Sequence, residues 1–600
     1  MGGIGGLAGY KTGAVAIASV CDGMLAQLKR RGSDDHGTFI SEQACLVYTG
    51  TDKRHNTKGP LRAVMGTKAY VFVYDGEVYN KDELSLELRS LGYRLPDTDC
   101  GTIILYGYLA WGLSIVDKLM GMYTFTVWDG EKLFAARDRL GLKPFYYAVG
   151  AYGLVFASDI KTILAHPEVQ AVIDREGLSE ILLLGPGRTP GCGVFKNIKE
   201  LKPGHTMTYS SMSGVEINSY WQLTARPHRE SFEETAENIR NLLKDAITRQ
   251  TPRGISIGTL LSGGLDSSAI ATLSGTKETF SVDYIGNDKH FTPNDFQPEG
   301  DNEYINAMVS FLRLKHKRIV FGTDELADAL VPAMDARGLP GMADVDSSLL
   351  LFCKQVRQSV KFALSGEGAD EIFGGYPWYK DEARLFEKGF PWSGSMDYRT
   401  SFIRPDLLDK LDPKAFIDER YLQTVSQAEG LYDDDPKEKR VRQMFLLNVN
   451  WFLQTLAARN DSMSALAGLT IRTPFLDHRL VEYLYNVPWE YKNHNEREKG
   501  LLRFALQGLL PDTVLWRKKS PYPKTHNPAY LTRVSDMLKA ILSDGSSPIF
   551  ELVTKGALTK LLDSSQVMPW YGQLMTHPQT IAYFLQFDAW LKDYGVILKL

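Results

Sequence analysis

The chain has 600 residues, a formal net charge of -4, 44% hydrophobic and 23% charged residues, an ordinary globular composition that leaves no electrostatic footprint for nucleic acid. Its length exceeds what one compact core serves, so two domains are expected. No run of about 18 apolar residues offers a membrane span, and Met1-Gly2-Gly3-Ile4-Gly5-Gly6 is no secretory signal, which together predict a cytoplasmic protein with neither a membrane nor a nucleic-acid partner.

In chain order, short apolar and aromatic runs at 70–74, 123–128, 133–136, 145–148 and 154–156 alternate with turns and read as a strand-rich first domain over 1–210. A polar stretch at 211–231 reads as a linker, and helical spacing from Phe232 opens a second domain over 232–600. There, strands at 254–261, 279–284 and 362–364 alternate with helical segments, the pattern of a largely parallel α/β sheet, and beyond about Glu382 the chain turns helical. The five cysteines, Cys21, Cys45, Cys100, Cys192 and Cys353, are scattered and predict buried thiols in place of a disulfide framework or zinc site.

The strongest local signal is Ser262-Gly263-Gly264-Leu265-Asp266-Ser267-Ser268, where an apolar strand gives way to a helix. Glycines let a phosphate approach the backbone, serine hydroxyls and helix N-terminal amides donate to it, and Asp266 can hold Mg²⁺. A serine-capped glycine turn is the plainer alternative. A second segment, from Leu364-Ser365-Gly366-Glu367-Gly368-Ala369-Asp370-Glu371 to Tyr376, crowds carboxylates behind another strand, and Asp370 is assigned to the metal beside Asp266; a solvated acidic turn is the alternative. Gly254-Ile255-Ser256-Ile257-Gly258 fits the hydrolase G-x-S-x-G pattern, but the apolar strand runs on to Leu261, which places Ser256 within it.

These segments, with Arg472-Thr473-Pro474-Phe475-Leu476-Asp477-His478-Arg479 and Arg517-Lys518-Lys519-Ser520-Pro521, occur in the order seen in asparagine synthetases, and the resemblance spans nearly the whole chain. It implies an N-terminal αββα sandwich of the Ntn, class II amidotransferase type. It also implies a C-terminal α/β ATP-pyrophosphatase domain with a helical end. The implied chemistry is ATP- and Mg²⁺-dependent: a carboxylate attacks the α-phosphorus, pyrophosphate leaves, and an amine displaces AMP. By resemblance Lys519 neutralises the phosphates, Leu260 and Val282 hold the adenine, and Ser365, Gly366 and Glu367 line the nucleotide. Glu371 and Tyr376 are candidates for handling the amine. The implied substrate is small and amino-acid-like, and a homodimer is neither required nor excluded.

The first domain resembles a class II glutamine amidotransferase through Arg31-Gly32-Ser33-Asp34, Tyr74-Asp75-Gly76-Glu77 and Ala136-Arg137-Asp138-Arg139. Active members carry a cysteine after Met1; here the residue is Gly2, so covalent glutamine hydrolysis through it is chemically impossible. The usual Asn-Gly-Glu reads Asp75-Gly76-Glu77, the usual substrate anchor is replaced near Leu46-Val47-Tyr48-Thr49-Gly50, and Asp99 alone matches a glutamine-binding acid. Two chemistries stay open: ring closure by an amine already on the substrate, as in the β-lactam synthetases, or use of free ammonia or another external amine. Thr470, where the family usually has Glu, favours a changed acceptor and hence lactam formation in a specialised pathway such as antibiotic or toxin synthesis. A silent scaffold is the third alternative, against which Asp266, Asp370 and Lys519 are retained together.

Overall fold

The computed structural model describes residues 2–10, 14–51, 60–251, 254–293, 299–564 and 568–600. The first domain stacks two six-stranded antiparallel sheets. One is centred on Gly2–Ala8, which pairs with Ala44–Gly50 and Gly153–Ala157; the other on Gly121–Trp128, which pairs with Lys68–Val78 and Lys132–Arg137. Alternation along these strands sends Ile4, Leu46, Val71, Val73, Leu133, Phe145 and Phe156 into the layer between the sheets. Helices Lys81–Ser90 and Cys100–Trp111 cover the second sheet through Leu84, Leu88, Ile103 and Ile104. Helix Ala14–Leu28 and much of the second domain cover the first. The outcome is the αββα sandwich.

Three expectations are corrected here. The span expected as a linker from 211 carries the strand Gly214–Ser219, which pairs with His205–Ser210 at the edge of the second sheet; the backbone ladder holds it there although most of its side chains stay in water. Cys21 and Cys45 form a disulfide between the helix and the strand Ala44–Gly50, because the fold lays that helix on the strand, a proximity that spacing along the chain does not reveal. Cys100–Lys118 is long and apolar enough to cross a membrane by length and composition, yet Ile103, Ile104 and Leu105 are buried against the sandwich.

The second domain is built on a five-stranded, all-parallel sheet in the order Lys315–Phe321, Glu278–Tyr284, Ile257–Leu260, Phe362–Leu364, Thr470–Arg472. From Ile257–Leu260 the chain winds to one side for two strands, then returns to add Phe362–Leu364 on the other. The adjacent pair Ile257–Leu260 and Phe362–Leu364 is thus the point where winding reverses, and the loops leaving their carboxyl ends diverge to open a crevice. Thr470–Arg472, within the region read as helical, supplies the last strand. Ser256 sits immediately before the strand Ile257–Leu260, not within it. Ser231 caps helix Phe232–Gln250 in a reciprocal box with Glu234.

Candidate active site

The crevice at the reversal point holds a cavity of ≈ 230 Å³. Its floor is the loop 262–264, which enters the helix Leu265–Ser274. Gly263 takes φ +70°, and a Cβ there would lie 2.8 Å from the Ile305 amide nitrogen, so only glycine fits. Ser267 braces the loop: its Oγ accepts from the Ser262 amide at 3.1 Å and donates to the Gly264 carbonyl at 3.2 Å. No side chain caps this helix, so its N-terminal amides and dipole remain for an anion. The loop after Phe362–Leu364 closes the other wall. A Cβ on Gly366 would fall 2.8 Å from the Ser267 amide nitrogen, so the two loops touch backbone to backbone.

Four charges converge on the cavity. Lys499 Nζ lies 2.6 and 2.8 Å from the two carboxylate oxygens of Asp266 and 2.8 Å from Asp370 Oδ1. Lys519 Nζ lies 2.8 Å from Asp370 Oδ2 and 4.8 Å from the centre of the Tyr376 ring. Burial alone would raise the Asp370 carboxyl, but Lys499 and Lys519 hold it well below the usual carboxylate range. Burial also works against the Lys499 ammonium, and its two carboxylate partners outweigh it to keep the group charged. Arg517 donates to the Ser262 carbonyl at 3.2 Å and to Asp301 at 2.5 Å, which fixes the segment carrying Lys519 across the loop.

Beside the charges, the Tyr376 hydroxyl donates to Glu371. Burial, with the charge of Asp370 adding to it, pushes the Glu371 carboxyl up to about 8. Tyr376 stacks on Trp378 with ring centres 4.5 Å apart, and Phe452 meets both edge-on, so the far wall is aromatic.

Leu260, Ser262, Asp266, Ser267, Val282, Ser365, Gly366, Glu367, Asp370, Glu371, Tyr376 and Lys519 therefore line one cavity. Gly263 and Gly264 shape its floor from behind. Ser268 does not reach it: the residue is fully buried and its amide bonds the Gly264 carbonyl within the helix. Lys499 went unnoticed in the sequence because nothing local marks it. It precedes helix Gly500–Ala505 in a left-handed conformation, φ +54°, and reaches its partners only through the fold. Arg459, on helix Leu453–Ala467, is a second residue that no motif flagged.

Asp266 and Asp370 offer hard oxygen donors suited to Mg²⁺. Among the described residues no group of three His, Cys, Asp or Glu gathers as a metal cage. Both carboxylates already contact the Lys499 ammonium, so a cation held there would need phosphate oxygens to complete its shell.

The first domain keeps a cleft of ≈ 660 Å³ lined by Gly2, Thr49, Asp75, Glu77, Asp99 and Arg472, among others. A Cβ on Gly2 would lie 1.8 Å from the Thr49 carbonyl oxygen. The Gly2 amide donates to Asp75 Oδ1 at 3.0 Å, and Arg31 Nε donates to the Gly2 carbonyl at 3.1 Å. Lys143 bridges Asp75 at 3.3 Å and Asp461 at 3.0 Å, and Arg31 adds a 2.5 Å contact to Asp461. Cys100, the one thiol on the cleft wall among the described residues, is pushed up to about 11 by burial and is a poor thiolate. Glu77 pairs with Arg472, whose carbonyl accepts from the Ser365 amide at 2.9 Å.

A parallel sheet with a glycine-serine loop and paired lysines at its reversal point, joined to an Ntn-type sandwich, defines a two-domain carbon–nitrogen ligase. Residues 238–592 match the asparagine synthase family and residues 1–221 the glutamine amidotransferase domain. Over 99% of both chains the protein is 42% identical to asparagine synthetase [glutamine-hydrolyzing] 3 of Bacillus subtilis, and the chain belongs to the asparagine synthetase family. It is 26% identical to B. subtilis asparagine synthetase [glutamine-hydrolyzing] 2 over 84% of this chain and 69% of that one. It is 24% identical to amidase chry2 of Gibberella zeae over 83% and 84%.

Proposed function

We propose that the chain makes an amide by activating a carboxylate as its adenylate, with release of pyrophosphate, and that the nitrogen does not come from glutamine. The observation that carries this reading is at Gly2: no thiol is present, and the direction in which one would project is filled by the Thr49 carbonyl. Hydrolysis of glutamine is in the printed names of the B. subtilis relatives; the nucleophile it needs is lacking here.

In this reading ATP lies with its phosphates on Ser262, Gly264 and the helix N-terminus and its adenine against Leu260 and Val282. A carboxylate oxygen of an amino-acid-like substrate attacks the α-phosphorus, the bond to the β-phosphate oxygen breaks, and Lys519 and Lys499 meet the negative charge that develops on the departing pyrophosphate. Mg²⁺, when bound by Asp266 and Asp370 with phosphate oxygens, supplies further neutralisation. An amine then displaces AMP. Glu371, hydrogen-bonded by Tyr376 and with its carboxyl pushed up to about 8, is placed to take that proton in its ionised form.

The enclosed Tyr376–Glu371 pair favours an amine already tethered to the acid, closing a lactam as β-lactam synthetases do, because attack is then unimolecular with effective molarity of about 10⁵ M or more. Free ammonia, in an asparagine-type reaction, is the alternative. The test is product analysis by mass spectrometry with ATP, Mg²⁺ and candidate acids. AMP plus a product one water lighter than the acid, without added amine, supports ring closure. Strict ammonium dependence supports the alternative, and ADP in place of AMP overturns both.

A further inference from the structure

The turn that delivers Lys499 is held under strain. Asn495, Glu496 and Lys499 take φ +56°, +55° and +54°, left-handed angles that side chains disfavour and that persist only where the surroundings impose them. Next to Lys499, Glu498 is not on the cavity wall, yet it gathers the segments that build it. Its side chain is 9% exposed, and Oε2 lies 2.5 Å from Lys380 Nζ. Lys380 follows the turn Pro377–Tyr379, at the end of the stretch that supplies Asp370, Glu371 and Tyr376. Oε1 accepts from the backbone amide of Lys519 at 3.1 Å. Arg503, on helix Gly500–Ala505, fixes the knot from the third side: Nη2 donates to Oε1 at 3.1 Å and Nε to the Glu498 carbonyl at 2.9 Å.

Burial works against the Glu498 carboxylate, but Lys380, Arg503 and the Lys519 amide outweigh it and hold the carboxyl down at about 2, so the group stays ionised at any working pH. Lys519 reaches the cavity through a flexible four-carbon stem, so where its ammonium can go depends on where its backbone is pinned. Arg517 ties that backbone to the glycine-serine loop, and Glu498 ties it to the segments of Lys499 and Asp370. We infer that Glu498 is a positioning residue of the ligase reaction: by anchoring the Lys519 amide it sets the Lys519 ammonium where charge gathers on the departing pyrophosphate. The inference rests on the adenylation reading above and adds to it how the leaving group is met. Charge on the leaving group develops only in the transition state, so the contribution of Glu498 falls on kcat and not on KM.

The test is pyrophosphate release by the full-length chain with ATP, Mg²⁺ and either L-aspartate or L-glutamate. Glu498→Ala should lower kcat roughly 100-fold, as misplacement by about 1 Å can, and leave KM for ATP and for the acid within about twofold. Glu498→Gln keeps an oxygen for the Lys519 amide and gives up the charge; it should lose roughly 10-fold and guards against a folding defect. In a Lys519→Ala background either change at Glu498 should cost less than about twofold, because the group it positions is gone. The same fold-loss in both backgrounds, a parent-like kcat in both Glu498 variants, or a loss carried by KM for ATP overturns the inference. No pyrophosphate from the parent with either acid counts instead against the adenylation reading.

Discussion

Restoring the missing thiol should not restore a glutaminase. In Gly2→Cys the new Cβ would lie 1.8 Å from the Thr49 carbonyl oxygen, 2.7 Å from its carbon and 3.0 Å from Gly50 Cα. All three are backbone atoms, so no rotamer relieves the contact and the end of the first strand has to leave its register opposite Gly50. Two charge-assisted hydrogen bonds are anchored on Gly2, its amide to Asp75 and its carbonyl from Arg31. At roughly 1.5–3 kcal/mol each, their joint loss costs about 3–6 kcal/mol. The assay is glutamate release from glutamine together with urea unfolding followed by tryptophan fluorescence. The expected outcome is no glutamate above background and an earlier first transition, by about 3 kcal/mol or more. A variant that unfolds like the parent and hydrolyses glutamine refutes the account of this site.

Lys519→Ala and Asp266→Ala should each lower AMP formation by 10²-fold or more, as removal of a preorganised charge does elsewhere, measured by coupled pyrophosphate release; near-normal turnover removes the residue from the mechanism. Lys499→Met takes the ammonium from between Asp266 and Asp370 and should destabilise the second domain by about 3–5 kcal/mol in urea titration. Glu371 has a folded-state pKa of about 8 against an ordinary 4.5, so the folded state binds the proton more tightly. Its contribution to stability is complete below about pH 4.5 and is lost as pH rises to about 8. Glu371→Gln should flatten that slope in pH-dependent melting, and it should also remove the rise of amide formation toward alkaline pH. Asp99→Asn, in the first-domain cleft, should leave amide formation within about twofold, since substitutions away from the reacting groups have small effects.

Strand positions were legible wherever apolar alternation is dense. The runs at 123–128 and 133–136 fall inside Gly121–Trp128 and Lys132–Arg137, and 362–364 coincides with Phe362–Leu364. The glycine-serine loop was legible because its φ +70° glycine and serine braces are local requirements. Lys499 was not, since an isolated lysine before a helix looks like any solvated one until the sheet brings Asp266 and Asp370 to it. The departure at Asp75 from the usual Asn was legible, but its burial against Lys143 and Arg31 depends on Asp461, nearly four hundred residues onward. The strand Gly214–Ser219 was masked by polar side chains, because an edge strand leaves one face in water.

The two domains share buried charge as well as apolar surface. Asp461 belongs to the synthetase half, and the cations recorded against it, Arg31 and Lys143, belong to the other. Cutting the chain between them would take both partners from Asp461 and bare the apolar surface that the sandwich covers, so the ligase half expressed by itself should be insoluble. The first domain thereby supplies counter-charge to the second, and it cannot be trimmed away.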